Sequence, residues 1–307
     1  MTPMPAPPNF LSFDVECWFH AHNLRGAVAE SDWDRLDLRV ERPIHAILEL
    51  LDRHATRATF FVLGWLAERR PDLVALIEGA GHELASHGYS HRLVSSMSEA
   101  EFADDLRRSL GAIGAASSGA AVAGFRASNF SIDRRTPWAF DRLHEAGFRY
   151  DSSVFPVGGR RYGIAGYPEL GPHDVTTESG ALVRELPLSV LPLGRRRLPF
   201  GGGGYLRLYP RRVTSAAITR ANRAGRPANV YLHPWELDPQ QPRLRVGRAE
   251  RFKHYVNLDQ TAARLEHLLQ RHAFTTLGSA VAADGHAHRT CSERWPLTLS
   301  TDRTVAC

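Results

Sequence analysis

The sequence contains little cysteine and no long apolar run. Three cysteines, Cys17, Cys291 and Cys307, occur in 307 residues, which gives no disulfide framework and is typical of a reducing compartment. Residues 1–9 carry neither the basic segment nor the apolar core of a secretory signal peptide. The most apolar stretch, residues 58–67, is too short to span a bilayer. We therefore expect a cytoplasmic protein without a transmembrane segment.

Signals for nucleotide and nucleic-acid binding are also missing. The net charge is +5, but the basic residues form local clusters in an otherwise mixed chain, which does not imply nucleic acid. The glycine run at 201–204 is not followed by the Gly-Lys-Ser/Thr of a phosphate-binding loop. An apolar content of 43% is sufficient for a sizeable core. The composition is that of a globular enzyme, and it does not indicate an oligomeric state.

Short apolar strands alternate with amphipathic helices along most of the chain. Residues 41–54 carry Ile44, Ile47, Leu48 and Leu51 at helical spacing, and a β-branched and aromatic strand follows at 57–62. Ser98 and Glu101 form the pattern of a capping box that opens the next helix. Repeated strand, loop and helix units imply a parallel sheet, and their number over about 270 residues favours an α/β fold of the barrel type.

The rhythm divides the chain into three parts. We predict an N-terminal extension at 1–9, one enzyme domain at 10–280 and a poorly ordered polar tail at 281–307. Within the domain, a loop-rich insertion covers about 156–215. Its arginine clusters and glycine run predict a mobile loop at 195–212 over the substrate side of the site.

Two histidines, His87 and His91, stand four residues apart among small and polar residues. On a helix or helical turn this spacing places both imidazoles on one face, where they can chelate a divalent transition metal. The alternative is a pair of ordinary surface or core histidines. A metal site of this kind lacks only a carboxylate from elsewhere in the chain.

Two carboxylates follow the first predicted strand. Asp14 and Glu16 are separated by Val15, so in an extended segment their side chains point to the same side. Two carboxylates on one face repel each other unless a cation or a shared proton relieves the repulsion. One of them can complete the metal site and the other can serve as a general base. The alternative is a merely polar strand end.

Three further chemically capable residues, Arg126, Asp151 and His233, also lie at the ends of predicted strands. In parallel α/β barrels the active site collects at the carboxyl ends of the strands. We therefore expect these side chains to lie near the carboxylates and the histidine pair.

These segments together resemble the polysaccharide deacetylase family, carbohydrate esterases of family 4 with a divalent metal in a distorted (β/α) barrel. The resemblance covers roughly residues 10–280, and the motifs come in the family's order. They are Ser12–Glu16, Ser86–His91, Phe125–Phe130, Tyr150–Ser153 and Leu232–Glu236. The Asp-Val-Glu and His-Pro-Trp-Glu forms resemble a subgroup associated with bacterial exopolysaccharide gene clusters.

The resemblance implies a role for each site residue. Glu16, His87 and His91 would hold one divalent ion, zinc in the first place and cobalt or another divalent ion otherwise. Asp14 would be the general base, although Val15 separates two carboxylates that are adjacent in many members, so the reverse assignment of Asp14 and Glu16 stays open. Arg126 would pair with the base, and His233 would be the general acid. The residues expected near the substrate are Trp18, Asn129, Phe130, Asp151 and Trp235, with Asp151 as the orienting partner of His233.

The implied reaction is hydrolysis of an N-acetyl group on an amino sugar, in a polysaccharide or its biosynthetic intermediate, with release of acetate. The partner is then an N-acetylated carbohydrate, and without a signal peptide we expect a small or lipid-linked intermediate. One alternative is a small amide, formamide or cyclic imide hydrolysed by the same site. Another is a carbohydrate-binding protein that retains a metal without catalysis. His233 could also simply pack beneath Trp235.

Overall fold

The structure is a computed structural model that describes residues 8–158, 163–194 and 196–282. Most of the predicted N-terminal extension, nearly all of the predicted tail and Arg195 lie outside the described residues. Cys291 and Cys307 belong to that outside part, whereas Cys17 is a buried free cysteine.

A mostly parallel sheet forms the centre of the molecule. The described strands are β1 Asn9–Val15, β2 Thr59–Val62, β3 Glu83–Ser86, β4 Gly124–Phe125, β5 Tyr150–Asp151, β6 His173–Thr176, β7 Leu182–Glu185, β8 Val190–Leu193, β9 Arg196–Pro199, β10 Asn229–Leu232 and β11 Phe274–Thr275. The sheet order is β10-β1-β2-β3-β4-β5-β7-β6, and β11 also pairs with β1. Every pair in this sheet is parallel except β6 with β7. Strands β8 and β9 form a separate antiparallel hairpin.

Helices cover the outside of the sheet. The described helices are α1 Glu41–Arg53, α2 Gly64–Arg69, α3 Pro71–Gly79, α4 Glu99–Ala116, α5 Ala139–Glu145, α6 Gly203–Leu208, α7 Arg211–Arg223, α8 Arg248–Tyr255, α9 Thr261–Leu269 and α10 Ser279–Ala282. The predicted apolar stripe of α1 is buried, and the capping box between Ser98 and Glu101 opens α4 as predicted. The sequence pattern predicts one helix at 66–79, but the chain forms two, because Pro71 cannot continue α2 and instead starts α3.

The expected α/β fold is confirmed as a curled half-barrel of parallel strands. Strand β1 is buried along its whole length and lies between β2 and β10, so its carboxyl end reaches the middle of the curved sheet edge. The largest apolar cluster packs around β1 and β2 and against α1, α3 and α9. This arrangement brings the ends of β1, β3, β4 and β10 to one edge, where the polar motifs begin.

The prediction of a mobile loop at 195–212 is wrong for the described residues of this segment. Strand β9 and helix α6 occupy most of this segment, and the glycine run packs against β10, where the Gly201 carbonyl accepts the Tyr231 N–H at 2.8 Å. Close packing explains the glycine at position 202, because a Cβ there would come within 2.8 Å of the Tyr231 ring. Among the described residues, we found no helix with the length and apolar character needed to cross a bilayer.

Candidate metal and catalytic site

Three buried side chains form the cluster suited to a metal ion within the described residues. Glu16, His87 and His91 each offer one ligand atom, and these atoms all lie within 4.8 Å of one another. Glu16 follows β1, and both histidines come from the loop after β3. Two imidazoles and one carboxylate are a ligand set typical of catalytic zinc sites, which keep a further position open.

Hydrogen bonds fix the orientation of His87. Its Nδ1 lies 2.9 Å from the backbone carbonyl of Arg126, so this nitrogen carries the proton and Nε2 keeps its lone pair. A metal-ligating histidine commonly donates its second N–H to a carbonyl or carboxylate in this way. Burial lowers the pKa of His87 to about 4, with nearby Asp14 opposing and His91 reinforcing the shift. The imidazole is therefore neutral at pH 7, as a ligand must be.

The charge balance of Glu16 also fits a cation. Burial alone would raise the pKa of its carboxyl group, but the imidazoles of His91, His233 and His87 together hold that pKa far below its usual range. The Oε2 atom is buried and lies 2.6 Å from Nε2 of His91, and within the described residues no donor meets it with the angles of a good hydrogen bond. A buried, ionised oxygen without a donor costs free energy that a bound cation would offset.

The loop between the two histidines is not helical, contrary to the geometry that their spacing suggests. Strand β3 ends at Ser86, and Gly88 and His91 both adopt a positive φ, of 74° and 54°. Asp105 on α4 holds this loop: its carboxylate accepts the backbone N–H groups of Tyr89 at 2.7 Å and Ser90 at 3.0 Å. A side chain on Gly88 would meet the Asp105 carboxylate at 2.8 Å.

Asp105 is a residue that the sequence interpretation missed. It lies on the buried face of α4 together with Phe102, Leu106 and Ser109. A carboxylate in the apolar stripe of an amphipathic helix needs a partner. A carboxylate at an apolar position of the helix is the sequence signal from which the supporting role of Asp105 could have been predicted.

Arg126 and Asp14 form a fully buried ion pair beside the metal cluster. The guanidinium donates to Asp14 Oδ1 at 2.7 Å and to Ser12 Oγ at 2.9 Å, and it also bonds the carbonyl and hydroxyl of Ser152 at 3.2 and 3.0 Å. It lies 4.1 Å from the ring centroid of Phe61. These contacts fix the direction of the Asp14 carboxylate, whose Oδ2 faces His233 Nε2 at 4.0 Å.

His233 reaches the cluster from the end of β10. Its Nε2 lies 3.8 Å from Glu16 Oε1, while its Nδ1 lies 3.0 Å from Glu236 Oε2. Burial would lower its pKa, but the hydrogen bond to Glu236 and the charges of Glu16, Glu236 and Asp14 raise it to about 9. The imidazole is thus a proton donor whose free nitrogen points to the carboxylates.

Trp235 connects the metal cluster to this histidine. Its Nε1–H donates to Glu16 Oε1 at 3.0 Å, and its ring stacks on those of His233 and His254, with centroids 5.0 and 4.4 Å away. Phe130 packs near Arg126, 6.0 Å from its guanidinium. Both residues therefore lie beside members of the candidate site, and their contact with substrate stays a prediction.

The remaining predicted residues lie differently. Trp18 is buried and donates its indole N–H to the carbonyl of Asp37 at 3.1 Å. Asn129 has a positive φ of 53°, and its buried amide nitrogen has no hydrogen-bond partner in the part of the chain that the structure describes. The structure does not bring Asp151 to His233. Asp151 instead accepts the hydroxyl of Ser153 at 2.6 Å, and Glu236 occupies the position next to the imidazole.

The fold and site together define a curled α/β half-barrel with a candidate metal cluster, a buried carboxylate and a histidine at one sheet edge. Residues 36–150 match the family model described as polysaccharide deacetylase. Residues 152–282 match a second model, described as a domain of unknown function, DUF3473. Residues 36–150 therefore form a polysaccharide deacetylase domain, and the residues that follow it match the second model.

Curated relatives match over short segments. A peptidoglycan-N-acetylglucosamine deacetylase of Bacillus cereus is 38% identical over 60 residues, which are 20% of this chain and 22% of that protein. A chitooligosaccharide deacetylase of Bradyrhizobium sp. is 35% identical over 60 residues, which are 20% of this chain and 27% of that protein. The similarity thus spans about a quarter of the length of these relatives.

Solved structures match over almost the whole chain. One from Mycobacterium smegmatis, assigned to the polysaccharide deacetylases, has a TM-score of 0.57 and 21% identity and covers 95% of this chain and 96% of that one. An allantoinase has a TM-score of 0.51 and 17% identity, covering 89% of this chain and 88% of that one. At these identities the likeness shows the fold alone.

Proposed function

We propose that this protein is a metal-dependent hydrolase that removes the N-acetyl group from an amino sugar in a polysaccharide or its biosynthetic intermediate. One observation carries the proposal: a carboxylate paired with a buried arginine and a histidine with a raised pKa face the same Glu-His-His cluster. The relatives named as deacetylases of N-acetylglucosamine polymers and chitooligosaccharides support the substrate class.

Glu16, His87 and His91 are the residues that would hold the ion. When bound, a divalent ion such as zinc supplies Lewis acidity, which polarises an amide carbonyl and acidifies water. The separation of roles between the two carboxylates supports Asp14 as the base. Its Oδ1 is engaged by Arg126, whereas Glu16 belongs to the candidate ligand cluster.

The protein side chains then account for the proton transfers. Asp14 accepts a proton from the water whose oxygen attacks the acetyl carbonyl carbon. Arg126 pairs with Asp14 and directs its carboxylate at the site. His233 donates its Nε2 proton to the sugar nitrogen as the C–N bond breaks, because an unprotonated amine is a very poor leaving group. The products are acetate and a free amino sugar.

Acetate release tests the proposal directly. Purified protein, reconstituted with zinc or cobalt, should release acetate from oligomers of N-acetylglucosamine, and His87→Ala should abolish the activity together with the bound metal. The substrate panel should include small amides, formamides and cyclic imides. Turnover of those compounds without any acetate release from acetylated sugars would refute the proposed function.

A further inference from the structure

The glycine run at 201–204 brings helix α6 against the turn that follows His233. Gly202 forms a parallel β-bridge with Tyr231, and a Cβ on Gly203 would overlap the carboxylate of Glu236. A Cβ on Gly204 would meet no atom of the described residues within 4 Å. Gly203 is therefore needed for the packing of this carboxylate, and Gly204 is not.

The Glu236 carboxylate bridges His233 and a buried arginine. Its Oε2 accepts the backbone N–H of His233 at 2.9 Å and lies 3.0 Å from the imidazole Nδ1. Its Oε1 accepts the Nε–H of Arg207 at 2.8 Å. With Nδ1 engaged in this way, Nε2 is the nitrogen that faces Asp14 and Glu16.

Arg207 is anchored independently of the site. Its remaining donors bind the backbone carbonyls of Lys253, His254 and Val256 at 2.9–3.1 Å. Arg207 and Glu236 are each 1% exposed. A carboxylate placed between a fixed guanidinium and an imidazole has little freedom to rotate, so the direction of the His233 ring depends on the position of Arg207.

We propose that Glu236, held by Arg207 and accommodated by Gly203, is the positioning residue that aims His233 at the reacting nitrogen. This inference rests on the proposed function and assigns a task to residues 203–256, which lie within the region matched by the domain of unknown function. The task is to present a general acid to a metal cluster whose histidine ligands lie in the deacetylase region.

Two adjacent alanine substitutions give a matched test. Gly203→Ala displaces the Glu236 carboxylate, whereas Gly204→Ala adds the same methyl group in open space. With an N-acetylglucosamine pentamer, Gly203→Ala should lower kcat at least tenfold with little change in KM or bound zinc, and Gly204→Ala should behave like wild type. With 4-nitrophenyl acetate, whose leaving group needs no proton, Gly203→Ala should lose much less. Equal losses on both substrates would overturn the proposal.

Glu236 substitutions test the same point at the carboxylate. Glu236→Gln should repeat the selective loss of amide turnover, and Glu236→Asp should restore part of it. Arg207→Lys, which keeps the charge but not the fork of donors, should lose an intermediate amount. Arg264→Lys is the control, because Arg264 holds the same helix through the backbone carbonyls of Leu206, Arg207 and Tyr209.

A spectroscopic readout separates this inference from the proposed function. In protein labelled with ¹⁵N-histidine, the His233 Nδ1–H should give an exchange-protected signal that is lost in Gly203→Ala and Glu236→Gln and kept in Gly204→Ala. Wild-type protein that releases no acetate from any acetylated sugar would refute the proposed function, and these spectra would still decide the positioning. A protected signal that survives Glu236→Gln would overturn the proposed positioning role of Glu236.

Discussion

The indole of Trp235 should control how tightly the protein binds its metal. Trp235→Phe keeps an aromatic ring between His233 and His254 but removes the Nε1–H that donates to Glu16 Oε1 at 3.0 Å. A hydrogen bond to a buried charged group contributes about 1.5–3 kcal/mol. Because each 1.36 kcal/mol corresponds to a tenfold change, the zinc dissociation constant should rise roughly 10- to 100-fold, as for other residues that orient metal ligands.

The assay is a competition titration of metal-free protein with zinc and a chromophoric chelator. Trp18→Phe is the matched control, because Trp18 is also buried and donates its indole N–H, but to the carbonyl of Asp37. It should bind zinc as wild type does. The reasoning fails if Trp235→Phe retains wild-type affinity, or if both variants lose affinity to the same extent, since the loss would then reflect general loosening of the fold.

Three further outcomes follow from the site. Glu16→Ala should lose bound zinc, whereas Asp14→Asn should retain zinc and show a kcat lower by about 10²-fold or more. Metal analysis and acetate release measure the two effects. They would show the reverse pattern if the roles of the two carboxylates are exchanged. Asp105→Asn should lower the free energy of unfolding by about 1–3 kcal/mol and weaken zinc binding, because backbone N–H groups in the loop between His87 and His91 lose their charged acceptor. An unchanged free energy of unfolding in urea would contradict this prediction. In metal-free protein the His233 pKa is raised to about 9, so the stabilisation from its protonated form is fully present below about pH 6.5 and is lost as pH rises through 9. Metal-free His233→Asn should therefore lack this pH-dependent loss, and parallel stability curves would count against the assignment.

Local patterns in the sequence are sufficient for much of the fold. The apolar stripe of α1, the capping box of α4 and the buried residues of β1 all follow from contacts within a few residues, which periodicity reports directly. Residue chemistry likewise singled out the candidate ligands, because clustered histidines and neighbouring carboxylates are costly without a ligand or partner. Here the sequence alone leads to a barrel with polar residues at its strand ends.

The partners of those residues were decided only by the tertiary structure. Arg126 meets Asp14 across 112 positions of sequence, and Trp235 meets Glu16 across 219. The orienting partner of His233 is Glu236 rather than Asp151, and the glycine run is a packing contact rather than a loop. Local periodicity carries no information on which strands become neighbours. The order of β10, β1, β2, β3 and β4 in one curved sheet determines which strand ends, and therefore which side chains, come within hydrogen-bonding distance.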